Sequence, residues 1–419
     1  ENVVMKKLFR SYKNTILLLG GVIIGAICGV IFKSDAAVVK PLGDLFLNLL
    51  LISIVPLIFF SISSSIAKMK EQKRLSKILI SAFAIFLITS VIAVVVGFVA
   101  VKPISLVDLE DRQLIEELFA TPEEETVELN LLARTVEALS TDDFVNLFST
   151  EHLIALIVVS MLFGIAVNKT GEKGKAMTDF LVSGSEVMYK FVEIISYYAP
   201  IGLGCYMASL VGTLGDAIAV GFLRVTVVYF IVSILFMFLF YTLYAYISFG
   251  RAGVKAYWKN ILPPALTSLG TCSSAACVPI NIESTKKMGV PADIAEATIS
   301  LGTSFHKDGS AIGSVFKIMF LVCFFGTPLN SLGSIGQVLG VSLIATLLVT
   351  AVPIGGGTIS EMLILTLMGY PVAALPILTI VATVIDAPAT LLNVVGDSSC
   401  ALLVTRTVEG KKGLKVKKV

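Results

Sequence analysis

Charge is scarce in this chain. Only 15% of its 419 residues are Asp, Glu, Lys or Arg, against 56% hydrophobic residues, and mean hydropathy is +0.91. No soluble globular domain has that balance, so the sequence reads as an integral membrane protein with many spans. Histidine occurs twice and tryptophan once, which leaves little for a metal or haem centre. The six cysteines (Cys28, Cys205, Cys272, Cys277, Cys323 and Cys400) are scattered, mostly in apolar runs, and none forms a C-x-x-C pair. That pattern argues against a zinc site or a disulfide framework. Basic residues are missing between Lys317 and Arg406. The net charge of +2 says little by itself, and no nucleic-acid partner is expected.

What is present is a series of apolar runs near 15–33, 41–67, 78–101, 151–168, 186–212 and 218–249, with a denser region from 259 to 406. About 20 apolar residues suffice to cross a hydrocarbon core of ~30 Å. Pro56 lies mid-run and predicts a kinked or tilted helix. Lys6, Lys7, Arg10 and Lys13 precede the first run, which reads as an uncleaved span. Lys68, Lys70, Lys73, Arg74 and Lys77, then Lys169, Lys173 and Lys175, then Arg251, Lys255 and Lys259, and finally the lysines after 410, mark alternate connections as cytoplasmic. Both termini are therefore expected in the cytoplasm and the protein in the plasma (inner) membrane. Residues 104–130 are strongly acidic and read as a solvated external loop; a cation funnel is the alternative.

Beyond 259, simple counting fails. Residues 260–282 are apolar but cut by Pro263, Pro264, Gly270 and Pro279, with Ser273 and Ser274 at the break and Lys286 and Lys287 after it. A segment that starts and ends inside is a re-entrant hairpin. Residues 333–371, interrupted at Val352–Thr358, read as a second hairpin entering from outside. Two interrupted segments of opposite orientation are the pattern of inverted-repeat secondary transporters.

Two polar clusters stand out. Ser304-Phe305-His306-Lys307-Asp308-Gly309-Ser310 lies inside a long apolar segment, where one Lys or Asp costs ~2.5–3.5 kcal/mol even on gentle scales. Gly309 suggests a helix break there, with backbone lining a cavity. A buried Lys–Asp pair that only joins helices is the bland alternative. In the last span, about 372–406, Asp386, Thr390, Asn393 and Asp397 are spaced 4, 3 and 4, and so share one helix face. Helix–helix hydrogen bonding would explain Thr390 and Asn393; two carboxylates in a cation-poor region suit an ammonium group or bound cations.

With these motifs in view, the sequence resembles the dicarboxylate/amino acid:cation symporter family, which includes glutamate, neutral amino acid and serine/threonine transporters. The resemblance rests on Cys272-Ser273-Ser274-Ala275, on His306-Lys307-Asp308-Gly309-Ser310 where the family has Asn-Met-Asp-Gly-Thr, on the Pro/Gly tip at 352–358, and on the Asp386…Asp397 pattern. It implies an all-α polytopic protein of eight transmembrane helices plus two re-entrant hairpins, a homotrimer working by an elevator mechanism. It assigns 1–77 to scaffold helices 1–2, 78–101 to transport-domain helix 3, 102–150 to the acidic external region and 151–217 to scaffold helices 4–5. Residues 218–419 become the transport-domain core and basic tail. For the substrate it implies Asp386 on the α-ammonium, Asn393 with amides near Ser273, Ser274, Ile354, Gly355 and Gly356 on the α-carboxylate, and Ser310, Ala389 and Thr390 along the side chain. For Na⁺ it implies three sets: Asp397 with carbonyls of Gly302, His306 and Asn393; Asp308 with Thr89 and Ser90; and carbonyls near Ser304 and the second hairpin.

The departures shape the expected function. Where acidic-substrate members carry Arg, this chain has Ala389 and Cys272, so a small neutral amino acid is expected; the alternative is an acidic amino acid or a dicarboxylate, with Lys307 or Lys317 supplying the cation. His306-Lys307 replaces Asn-Met, and two readings stand side by side: Lys307 takes the place of a sodium ion, with protons as coupling ion through His306 or Lys307, or Lys307 points away and the sodium sites persist through backbone carbonyls. Ser314 stands where potassium-coupled relatives have Glu. Glu361 pairs with a base or reaches the surface. An enzyme is not expected: a Ser273 or Ser274–Lys307 dyad has no oxyanion site. A channel is the closer rival, and uphill accumulation distinguishes the two.

Overall fold

In hydrocarbon every backbone N–H and C=O must find its partner within the protein, and a helix does that within one segment. Helix is accordingly the only regular structure among the described residues. The computed structural model describes residues 2–67, 73–107, 141–149, 152–350 and 356–414. The acidic stretch from 108 onward, the tip residues Ile354 and Gly355, and the terminal lysines past 414 lie outside them.

The helices are α1 (Asn2–Phe32), α2 (Lys40–Ala67), α3 (Lys73–Val101), α4 (Leu153–Lys169), α5 (Lys175–Leu214), α6 (Asp216–Phe236), α7 (Thr242–Asn260), α8 (Leu262–Thr271), α9 (Ser274–Lys287), α10 (Ala292–Phe305), α11 (Asp308–Phe325), α12 (Leu332–Thr350), α13 (Gly356–Met368) and α14 (Leu375–Glu409). A π-helical turn, Met237–Tyr241, joins α6 to α7. Among the described residues, five stretches are long and apolar enough to cross a membrane: Leu17–Phe46, Lys77–Val101, Ile218–Asn260, Ala292–Phe325 and Val372–Glu409. The bent pair Gly171–Ile195 and Tyr197–Leu214 makes a sixth, with 49° between its halves. That bend lies at residue 196, four before Pro200, where a proline ring clashes with the preceding carbonyl. α2 stays helical through Pro56.

Contacts fall into two groups. α1 and α2 both lie along α5, and α2 also meets α4. α3, α6 and α12 surround α11, while α7, α8, α9, α10 and α13 pack with α11 on α14. α1 reaches α5 through Gly21, Gly25 and Gly29, and a Cβ at Gly25 would overlap the carbonyl of Gly204. Small residues spaced by four let helix backbones approach this way. α11 is apolar on every side and buried from Asp308 to Phe324 with few gaps, as a helix at the centre of a bundle must be. Phe316 meets Tyr229 edge-on at 5.1 Å and Phe320 stacks on Phe222 at 5.0 Å, tying α11 to α6.

Candidate functional site

α10 ends at Phe305 and α11 starts at Asp308, leaving His306 (φ −127°, ψ 116°) and Lys307 (φ −146°, ψ 69°) outside both helices. The break thus comes ahead of Gly309, where the sequence suggested it. Gly309 belongs to α11, and its missing side chain lets that turn close on α14: a Cβ there would overlap the carbonyl of Ala389.

The step delivers the His306 ring between two acids. Nδ1 lies 2.8 Å from Asp397 Oδ1. Nε2 lies 3.0 Å from Asp308 Oδ1 and 3.0 Å from Thr89 Oγ1. Cys400 Sγ is 3.6 Å from Nε2, and Phe86 stacks on the ring at 4.7 Å. His306, Asp308 and Asp397 are all buried. Tyr241 donates to Leu392 O at 2.9 Å and reaches Asp308 Oδ2 at 3.4 Å. Lys307, which one of the two sequence readings set against these acids, is half-buried, and its ammonium is only within electrostatic reach of Asp397 and Asp386. The direct contact belongs to His306, the other residue through which coupling was expected. The reason is geometric: along an extended step, adjacent side chains point to opposite sides.

Sodium fits these residues poorly. Asp397 does lie over Gly302, where a Cβ would overlap its carboxylate, but its Oδ1 is taken by imidazole. The Thr89–Ser90–Asp308 set has Nε2 standing against both Thr89 and Asp308, while Ser90 Oγ finds no hydrogen-bond partner among the described residues. The Ser304 side chain, from the third set, lies outside them.

Further along α14 the polar face continues. Asp386 receives a long hydrogen bond from Thr390, 3.5 Å. Asn393 Nδ2 donates to Ser310 Oγ at 3.2 Å and its Oδ1 accepts from Ser310 N at 3.3 Å, which joins α14 to the first turn of α11. An amide nitrogen carries two hydrogens, so one donor of Asn393 remains for a ligand. Ala389 is buried and brings no charge.

The first hairpin is α8–α9. Cys272 turns it in the left-handed region (φ 46°, ψ 33°), and Ser273 caps α9 by accepting from Ala276 N at 3.3 Å. Ser274 opens α9, whose first amides suit an anion. Asn281 pins this arm to α14, donating to Val394 O at 2.8 Å and accepting from Ser398 at 2.6 Å. The second pair, α12–α13, packs together, with Gly356 as the first residue of α13. Glu361, left undecided by the sequence, is buried beside Lys317 at 3.5 Å and accepts from Thr379 at 2.7 Å. Ser314 meets Thr346 at 3.2 Å.

Sequence reasoning missed three buried tyrosines. Tyr229 donates to Gly309 O at 2.7 Å, Tyr241 to Leu392 O, and Tyr257 to Val395 O at 3.1 Å. The available signal was a phenol in an apolar run, since a buried hydroxyl needs a partner.

Comparison with known proteins agrees with this architecture. Residues 15–407 match the sodium:dicarboxylate symporter family. A C4-dicarboxylate transport protein of Bacillus subtilis (strain 168) is 27% identical over 412 residues, covering 96% of this chain and 94% of that one. The C4-dicarboxylate transport protein of Agrobacterium fabrum is 27% identical over 395 residues, 93% and 87% of the two chains. The proton/sodium-glutamate symport protein of Bacillus caldotenax is 26% identical over 399 residues, 92% of each. The match runs from α1 to the last turns of α14, and this chain belongs to the sodium:dicarboxylate symporter family, a family of transporters and not of enzymes.

Proposed function

We propose that this protein is a secondary active symporter that moves a small amino acid across the membrane, driven by a cation gradient. The carrying observation is the Asp386–Thr390–Asn393 face of α14, joined to the broken span through Ser310. Asp386 meets an α-ammonium by Coulomb attraction. The spare Asn393 donor, with the first amides of α9 and the tip before α13, takes the α-carboxylate. Thr390, Ala389 and Ser310 lie along the side chain. With Ala389 in that place, a neutral side chain leaves no buried carboxylate unpaired. In this reading eight spans and two re-entrant hairpins form the chain, three copies assemble, and α3 with everything from α6 onward slides against α1, α2, α4 and α5. Both termini face the cytoplasm.

A second reading has its own support. The relatives above are named for C4-dicarboxylates and glutamate, and none is named for a neutral amino acid. Lys307 and Lys317 are both within electrostatic reach of Asp386, so an acidic substrate has a cation available. Uptake into proteoliposomes of labelled serine, alanine, threonine, aspartate, glutamate and succinate separates the two. Accumulation of serine or alanine, uncompeted by succinate, supports the first. Succinate or aspartate uptake, lost in Lys307→Met, supports the second. No uphill accumulation of any of them sinks both.

A further inference from the structure

We infer that the buried imidazole of His306 fills the pocket between Asp308 and Asp397, and that this pocket takes no sodium ion. Buried carboxylates stripped of hydration need a partner inside the protein. The ring takes that place, 2.8 Å from one acid and 3.0 Å from the other.

Both ring nitrogens are engaged. Nδ1 faces Asp397 Oδ1 at 2.8 Å, and Nε2 faces Thr89 Oγ1 at 3.0 Å with Cys400 Sγ at 3.6 Å. Two side-chain oxygens expected to bind sodium thus face the ring. Asp308 Oδ1 approaches Nε2 at 3.0 Å and has no hydrogen-bond partner among the described residues.

The ring is also held in place. Phe86 stacks on one face at 23° between planes, and a Cβ at Gly396 would press on Cε1 at 3.2 Å. A sodium ion placed here would have to displace a wedged ring. Asp397 Oδ1, the oxygen it would need, is already engaged.

The inference deepens the symporter reading but is tested apart from it. Purified full-length protein is melted without substrate in sodium chloride and in choline chloride at equal ionic strength. The expected result is no sodium-specific rise in Tm for wild type that Asp397→Asn abolishes. His306→Asn removes the ring and leaves an oxygen ligand, and is expected to acquire a saturable sodium-specific rise. Where a transported substrate is known, its affinity in that variant is expected to become sodium-dependent by ~5–150-fold, the usual span of coupling between sites. A saturable sodium-specific rise in wild type, lost in Asp397→Asn, overturns the inference. If His306→Asn does not fold, the wild-type and Asp397→Asn comparison still decides, with His306→Gln as the second variant. Failure of the uptake panel sinks the substrate reading and leaves this pocket untouched.

Discussion

Two helix seams in this molecule are close for opposite reasons. Along α1–α5 the backbones touch because side chains are absent: Gly21, Gly25 and Gly29 meet Pro200, Gly204 and Ala208. Along α11–α14 the backbones also approach, at Gly309 and Ala389, but the seam around that point is filled with hydroxyls, an amide, an imidazole and carboxylates. The first seam is van der Waals packing and has one comfortable arrangement. The second is a set of paired polar groups, and one donor of Asn393 is left over for a ligand.

The contrast can be broken from either side. The largest effect is expected from Gly25→Leu, which drives a side chain into the Gly204 backbone; the protein should fail to emerge as a monodisperse species from detergent extraction, since overpacking costs ~1–3 kcal/mol even where side chains alone must yield. Next is Asp397→Asn. It removes one partner of a buried ionic contact, a change that typically costs about 3–5 kcal/mol, and should lower the detergent melting temperature well below wild type. Tyr241→Phe loses one hydrogen bond to Leu392 O and should cost ~0.5–1.5 kcal/mol by the same measurement. Asp386→Asn sharpens the comparison: among the described residues its one hydrogen bond is the long one from Thr390, so melting should be unchanged while uptake of any amino acid substrate falls to background. Smallest is Lys287→Ala, which breaks an exposed 2.7 Å pair with Glu283 and should alter neither melting nor uptake. A Gly25→Leu protein that melts like wild type, or an Asp386→Asn protein that transports, would erase the distinction between the seams.

The α14 stripe was legible in the sequence because its 4, 3, 4 spacing survives in an unbroken helix. The two helix breaks were legible from Pro, Gly and Ser within apolar runs, and the pairs α8–α9 and α12–α13 lie either side of them. His306 and Lys307 were harder. They are neighbours on an extended step, and which one turns toward the acids depends on where the helix stops, a matter of a single residue. Gly309 drew attention as the breaker, yet its role is to let α11 touch α14. The tyrosines escaped because each is one phenol in a long apolar helix, and its acceptor is a carbonyl far away in sequence, which no local pattern encodes. Glu361 found its base in Lys317, 44 residues away, for the same reason.

The π turn at Met237–Tyr241 has one more consequence. A π turn holds one residue more than the α turn it replaces, and each residue of a helix advances the face by ~100°. Tyr229 lies before the turn and Tyr241 closes it, and both phenols reach the same polar seam, at Gly309 O and Leu392 O. Deleting one residue from 237–240 would rewind the turn and swing Tyr241 by ~100° away from that seam. The setting ends at Phe249 and Gly250, where the backbone leaves the helix and α7 starts a fresh phase. The surplus residue is thus a short dial that aims one phenol.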